Sequence, residues 1–161
     1  MKKQTIALIA ILTALLTACT ETTGYNTTLV QADSLMNLHP DSALNMLESI
    51  STDSLKTKAD RAYHALLLTQ ARDKNYIVQT DDSLIQVAVR YYDTHENAPL
   101  QARAYYYWGC VYRDMKKAEE AVTSFLTANI LAKKTKNIRL QSLICNNIGY
   151  LYYAQDLNEQ A

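Results

Sequence analysis

Apolar residues recur at intervals of three and four along most of this chain, the spacing that aligns side chains on one side of an α-helix. This spacing predicts helices at about 29–38, 40–50, 55–72, 82–95, 99–115, 119–135 and 139–154, with another beginning at 156. Only three glycines and two prolines occur in the 161 residues, and no run of alternating β-branched residues follows the N-terminal apolar segment. The sequence therefore predicts an all-α fold.

The predicted helices are joined by short connections, so consecutive helices are expected to pair as antiparallel hairpins, and hairpins in series indicate a repeat. A pattern of small and aromatic residues recurs along the chain, first as Gly109, Tyr112, Ala121, Phe125 and Ala128 and then as Gly149, Tyr152 and Ala161. Because glycine has no Cβ, we expect both glycines to lie where the first helix of a hairpin crosses the second closely.

This pattern resembles the tetratricopeptide repeat (TPR), specifically over residues 104–161 and loosely from residue 29 onward. The resemblance implies an α–α superhelix of TPR-like antiparallel helix hairpins over residues 29–161. The distance from Gly109 to Gly149 exceeds the TPR unit of about 34 residues, and a generic array of helical hairpins is the alternative. Ala161 falls early in the second helix of its repeat, so we expect the domain to be truncated at its C-terminus.

TPR proteins bind a peptide or protein partner in a groove lined by the first helix of each hairpin. The resemblance implies the following partner-binding residues here: Arg103, Tyr106, Arg113, Asn146 and Tyr150. Tyrosine and arginine are frequent in protein interfaces. The alternative is that these residues form an ordinary solvated helix face.

The N-terminus has the layout of a secretory signal, with Lys2 and Lys3 followed by an apolar run and small residues. The segment from Leu16 to Cys19 resembles the cleavage site of bacterial lipoproteins. The resemblance implies that residues 1–18 are removed, that Cys19 is lipidated, and that the polar residues 19–28 form a tether. It places the protein in the envelope of a Gram-negative bacterium, and Thr20 favours the outer membrane over the inner. An ordinary secretory signal, with Cys19 incidental, is the alternative.

The sequence contains no pattern that indicates catalysis or metal binding. His39, His64 and His95 lie far apart, and neither an HExxH nor a Cys-x-x-Cys pattern occurs. We interpret Asp81–Asp82 as a helix N-terminus and Cys145 as a packed thiol. The 16 basic residues equal the 16 acidic ones, which gives no field to attract nucleic acid. We expect no enzyme activity, no cofactor, no metal and no nucleic-acid partner.

These observations predict a lipid-anchored envelope protein whose helical repeats bind a protein or peptide, with the membrane as a second partner through the lipid. Two alternatives stay open. One is a nutrient- or glycan-capturing outer-membrane lipoprotein, and the other is the sensory N-terminal part of a larger signalling protein.

Overall fold

The structure is a computed structural model that describes the backbone of residues 24–159 and the side chains of residues 24–154. Within these residues it contains seven α-helices, one short 3-10 helix and no strand, which confirms the predicted all-α fold. The helices are α1 (Thr27–Leu35), α2 (Pro40–Glu48), the 3-10 helix (Thr52–Ser54), α3 (Lys58–Lys74), α4 (Ser83–Tyr92), α5 (Ala98–Asp114), α6 (Ala118–Lys134) and α7 (Ile138–Glu159). No helix in the described part of the chain is both long enough and apolar enough to cross a membrane.

Each helix packs against the next one in the chain, and the odd-numbered helices also contact one another in sequence, α1 with α3, α3 with α5 and α5 with α7. The contact between α5 and α6 is the most extensive. Helices α3, α5 and α7 begin at positions 58, 98 and 138, a regular spacing of 40 residues. The fold is thus a series of packed helices in which every second helix begins at a fixed interval from α3 onward.

Helix α7 is longer than the sequence predicted. A break near 154 and a new helix at 156 were expected, but α7 continues without interruption from Ile138 to Glu159. The prediction was wrong because residues 155–159 include neither glycine nor proline, the residues that usually end a helix. The repeat position assigned to Ala161 lies outside the described residues.

The folded region begins earlier than the predicted tether allows. The ring of Tyr25 lies 4.2 Å from that of Tyr63, measured between centroids. The side chain of Asn26 caps α1 by accepting from Thr28 N–H, and the Asn26 N–H donates to Asp60 Oδ1 at 2.7 Å. The tether predicted over residues 19–28 is therefore wrong from Tyr25 onward, because Tyr25 and Asn26 contact α3 and α1 begins at Thr27. Residues 1–23, including Cys19, lie outside the described part.

The two glycines of the repeated pattern have different surroundings. A Cβ placed on Gly109 of α5 would lie 2.5 Å from Cε1 and 2.6 Å from Cδ1 of Phe125 in α6, so the close helix crossing predicted there is present. A Cβ on Gly149 of α7 meets no atom within 4 Å. The same prediction stays untested for Gly149, because the structure describes no helix after α7.

Three helices end in the same left-handed turn without using glycine. Tyr76, Lys116 and Lys136 have φ values of 58°, 63° and 55°. In each case the next N–H donates to a carbonyl five residues earlier, as Ile77 does to Arg72 at 3.0 Å. These turns reverse the chain within a few residues, and the first of them places Tyr76 on the surface.

Replacing Lys136 with glycine is expected to raise the free energy of unfolding by about 1 kcal/mol, because the left-handed conformation is costly for a residue with a Cβ. Urea denaturation measures the change. Lys133→Gly is the matched control in the last turn of α6, where glycine is expected to lower stability by up to about 1 kcal/mol. Equal effects at the two positions would contradict the turn geometry.

Candidate binding cleft

A cleft of about 560 Å³ lies between the end of α3 and the helices α5 and α7. Its lining residues are Asp73, Tyr76, Arg113, Asn146, Asn147 and Tyr150. Arg113 and Tyr150 also line an adjoining hollow of about 500 Å³, together with Val78, Asp114, Lys116, Ala118, Leu151 and Ala154. We call the two together the α3–α5–α7 cleft.

The floor of the cleft is a polar network centred on Arg113. Its Nη2 donates to Asp73 Oδ1 at 2.8 Å and to Asp114 Oδ1 at 3.0 Å, and its Nη1 donates to Asn147 Oδ1 at 2.7 Å. Burial lowers the pKa of Arg113, but the neighbouring acidic groups, Asp73 among them, raise it by more, so the net shift is upward. The guanidinium therefore stays charged and ties α3, α5 and α7 together at one point.

The walls of the cleft carry exposed aromatic and apolar side chains. Tyr76 is 94% exposed, Val78 68% and Tyr150 58%. The position of Tyr76 is fixed by the turn that ends α3, where the side chain of Asn75 donates to the carbonyls of Ala71 and Pro40 at 2.7 Å and 2.9 Å. Large exposed side chains beside a rigid polar floor are a typical arrangement for binding another molecule.

Of the five predicted partner-binding residues, the structure brings three together in this cleft: Arg113, Asn146 and Tyr150. Tyr106 is buried instead, and its hydroxyl oxygen accepts a hydrogen bond from Asn147 Nδ2 at 3.1 Å. Its assignment as a partner-contacting residue is wrong, because the ring packs against Phe125 of α6 at 5.7 Å between centroids.

Arg103 lies in a different surface depression, where it links three helices of the fold. It binds Asp33 of α1 through both terminal nitrogens, at 3.0 Å and 2.7 Å, and donates to Gln70 of α3 at 2.6 Å. Tyr63 also donates its hydroxyl to Asp33, at 2.7 Å. These bonds place Arg103 outside the α3–α5–α7 cleft, and its predicted contact with a partner stays a prediction.

Sequence reasoning missed Asp73, Tyr76 and Val78. A signal for two of them was available, because Tyr76-Ile77-Val78 is an apolar run in a segment predicted to be a loop. Apolar residues gathered in an exposed connection often mark a contact surface. The role of Asp73 depends on its distance from Arg113, which lies 40 positions further along the chain.

Of the remaining predictions, the helix N-terminus at Asp82 is confirmed and the packed thiol at Cys145 is wrong. Asp82 is the residue preceding α4, as predicted, and its carboxylate accepts hydrogen bonds from Trp108 Nε1 at 2.9 Å and from the Tyr112 hydroxyl at 3.1 Å. Cys145, expected to be packed inside, is exposed, because no described residue covers its side of α7, whereas Cys110 is buried. No group of three or more potential metal ligands occurs in the part of the chain that the structure describes.

Comparison of the chain with protein-family models, with curated proteins and with solved structures finds no match. The TPR relation therefore stays a resemblance carried by the residues quoted above.

Proposed function

We propose that this chain is a lipid-anchored envelope protein whose helical repeats bind a protein or peptide partner in the α3–α5–α7 cleft. The observation that carries the proposal is the pairing of two exposed tyrosines, Tyr76 and Tyr150, with a polar floor already fixed by Arg113. Tyrosine is enriched in interfaces because its ring gives a large contact area and its hydroxyl a hydrogen bond.

Rigidity of the floor favours binding. Arg113, Asp73 and Asn147 are held by hydrogen bonds between three helices, so little order is lost there when a partner arrives. The side chain of Asn146 is exposed at the same cleft and can donate to and accept from a peptide backbone. The chemistry favours a segment that inserts an apolar or aromatic side chain between Tyr76 and Tyr150 while its backbone contacts Asn146.

The experiment that tests this function is capture of partners from detergent-solubilised envelope with the parent protein and a triple variant, Tyr76→Ala, Asn146→Ala and Tyr150→Ala. These side chains are exposed, so their truncation spares the core. We expect the affinity for a captured partner to fall by about tenfold or more, as for loss of interface anchors. Tyr153→Ala is the matched control, because Tyr153 is 64% exposed on α7 but does not line the cleft. Equal binding by the triple variant and the parent would reject the cleft.

Anchoring through Cys19 would hold this cleft near a membrane. Cys19 lies six positions before Tyr25, where the described fold begins to pack, and six residues of extended chain span at most about 20 Å. Several acyl chains give stable membrane attachment, at about 0.8 kcal/mol for each buried methylene. The binding cleft is therefore proposed to work at the membrane surface.

Replacing Cys19 with serine is expected to release the protein into the soluble envelope fraction or to leave it uncleaved, because serine cannot carry the thioether-linked lipid. Cell fractionation and intact-mass measurement of the purified protein test this. Replacing the buried Cys110 with serine provides a control that leaves the signal intact. A mature N-terminus elsewhere, without acyl mass, would contradict the anchoring proposal.

Glycan capture is a second candidate, and the composition of the same cleft favours it. Tyrosine rings beside Asp73, Arg113 and the amides of Asn146 and Asn147 combine apolar faces with hydrogen-bonding groups, which suits a sugar as well as a peptide. Calorimetric titration with oligosaccharides separates the two. Saturable heat that disappears in the Tyr76→Ala and Tyr150→Ala double variant would favour the glycan.

A further inference from the structure

A pocket of about 280 Å³ lies between the beginning of α3 and the end of α4. The lysine and arginine residues that line it are Lys58 and Arg61 of α3 and Arg90 of α4, and no carboxylate of the described residues lines it. All three side chains are exposed, and none of them takes part in an ion pair in the described part of the chain. We call this pocket the α3–α4 basic pocket.

Two acidic residues, Asp60 and Asp93, lie between lining residues in the sequence, but their carboxylates are bonded elsewhere. Asp60 Oδ1 accepts from the Asn26 N–H at 2.7 Å. Asp93 accepts from Gln101 Nε2 at 3.1 Å and from the Tyr105 hydroxyl at 3.2 Å, both on α5. Neither carboxylate therefore neutralises the pocket. Lysine and arginine donors without such a neighbour suit an anion, and phosphate above all.

The rest of the lining is aromatic and apolar. The rings of Tyr91 and His95 are stacked, with centroids 3.9 Å apart and planes 12° from parallel. Val87, on the same wall, is 45% exposed. Cations beside exposed aromatic and apolar groups match the interfacial region of a membrane, where aromatic rings lie at the level of the headgroups.

The chain enters the fold at the same end of the bundle as this pocket. Asn26 is bonded to Asp60, which lies in the first turn of α3. The hydroxyl of Tyr25 lies 3.5 Å from that of Tyr92, the last residue of α4. Cys19 precedes Tyr25 by six positions, which span at most about 20 Å. A lipid on Cys19 would therefore hold this end of the bundle close to the membrane.

We propose that the α3–α4 basic pocket binds the phosphate of an anionic phospholipid, so that this end of the bundle faces the membrane. The choice of a membrane phosphate over a soluble one rests on the proposed anchoring through Cys19. The pocket adds an electrostatic contact to the lipid anchor, and this contact orients the fold. Because the α3–α5–α7 cleft lies at the other end of α3, a helix of 17 residues and about 25 Å, the cleft stays open to a partner.

The test measures binding of the mature chain, residues 19–161 with Cys19→Ser, to phospholipid vesicles by co-sedimentation. This chain retains every residue that the structure describes and carries no lipid of its own. We expect saturable binding to phosphatidylcholine vesicles with about 30% phosphatidylglycerol, and none to phosphatidylcholine alone, because the attraction needs anionic headgroups. Lys58→Gln and Arg90→Gln together are expected to weaken the binding by about tenfold or more.

The matched control is the double variant Lys116→Gln and Lys117→Gln, which removes the same charge from two exposed side chains. These residues follow the far end of α5, whose 17 residues span about 25 Å. Charges are screened beyond about 10 Å at 0.1 M salt, so the control is expected to bind vesicles as the parent does.

Three results would overturn the proposal. Vesicle binding that does not depend on phosphatidylglycerol would show that no anionic headgroup is recognised. Equal weakening by the control would show that net charge, and not the pocket, causes the attraction. Binding of inorganic phosphate without binding to vesicles would assign the pocket to a soluble anion. The intact mass of the lipidated parent reports on Cys19 separately, so failure of the anchor and failure of the pocket give different results.

Discussion

Gly109→Leu is expected to lower the free energy of unfolding by about 2–3 kcal/mol. The Cβ alone would lie 2.5 Å from Cε1 of Phe125, and the rest of the leucine side chain would extend into the same space. The Phe125 ring is wholly buried and packs beside the ring of Tyr106, so it has no free volume into which to move. Overpacking of this kind typically costs about 1–3 kcal/mol, and the better helix propensity of leucine offsets less than 1 kcal/mol.

Thermal or urea denaturation of three further variants isolates the cause. Gly149→Leu should leave stability unchanged or raise it by up to about 1 kcal/mol, because that glycine has open space around it. Phe125→Ala alone should cost about 3–5 kcal/mol. The double variant with Gly109→Leu and Phe125→Ala should lose much less stability than the sum of the two single losses, because the leucine fills the volume that the phenylalanine ring has vacated. Additive losses would show that residues 109 and 125 do not touch.

The presence and order of the helices followed from the sequence because burial of one helix face imposes a regular spacing of apolar residues. The helix bounds agreed to within a few residues, except where no breaker marked the end, as at Ala154 in the middle of α7. The stripe around Leu66 and Leu67 is buried, as its spacing indicated. Local patterning was therefore sufficient for the presence and order of the helices and for the buried face of α3, but not for α5, where Tyr106 is buried, or α7, where Cys145 is exposed.

The candidate site was harder to predict because it depends on contacts between distant residues. Arg103 and Arg113 occupy similar helix positions by sequence, yet one binds Asp33 of α1 and the other Asp73 of α3, 70 and 40 residues away. Neither pairing can be recognised from the residues that adjoin the arginine in the sequence. Likewise Gly109 and Gly149 share one motif, and only the presence of Phe125 over the first distinguishes them.

Arg103→Met is expected to lower the free energy of unfolding by about 3 kcal/mol at neutral pH. The variant leaves Asp33 as a charge without its cation between α1, α3 and α5, and breaking a buried pair typically costs about 3–5 kcal/mol. We take the lower end because the two side chains keep 22% and 26% of their surface exposed. Arg72→Met is the matched control, since Arg72 pairs with Glu48 only at 3.9 Å on the surface and should cost well under 1 kcal/mol.

The cost of Arg103→Met should depend on pH in a direction that identifies Asp33 as its source. Burial raises the pKa of Asp33, but Arg103 and the Tyr63 hydroxyl lower it by more, so in the folded parent protein it lies below its usual value of 3.8. The parent therefore has the stabilisation from this carboxylate above pH 3.8 and loses it as the pH falls through the lower folded-state pKa. In the variant, burial and the Tyr63 hydroxyl are the remaining influences on the pKa of Asp33. Loss of the Arg103 cation raises this pKa. Protonation of Asp33 therefore destabilises the folded variant less than it destabilises the folded parent. The stability difference between parent and variant, measured by urea denaturation, should consequently shrink as the pH is lowered from about 7 to about 3. A difference that stays constant over this range would show that Arg103 acts through packing of its side chain and not through its charge.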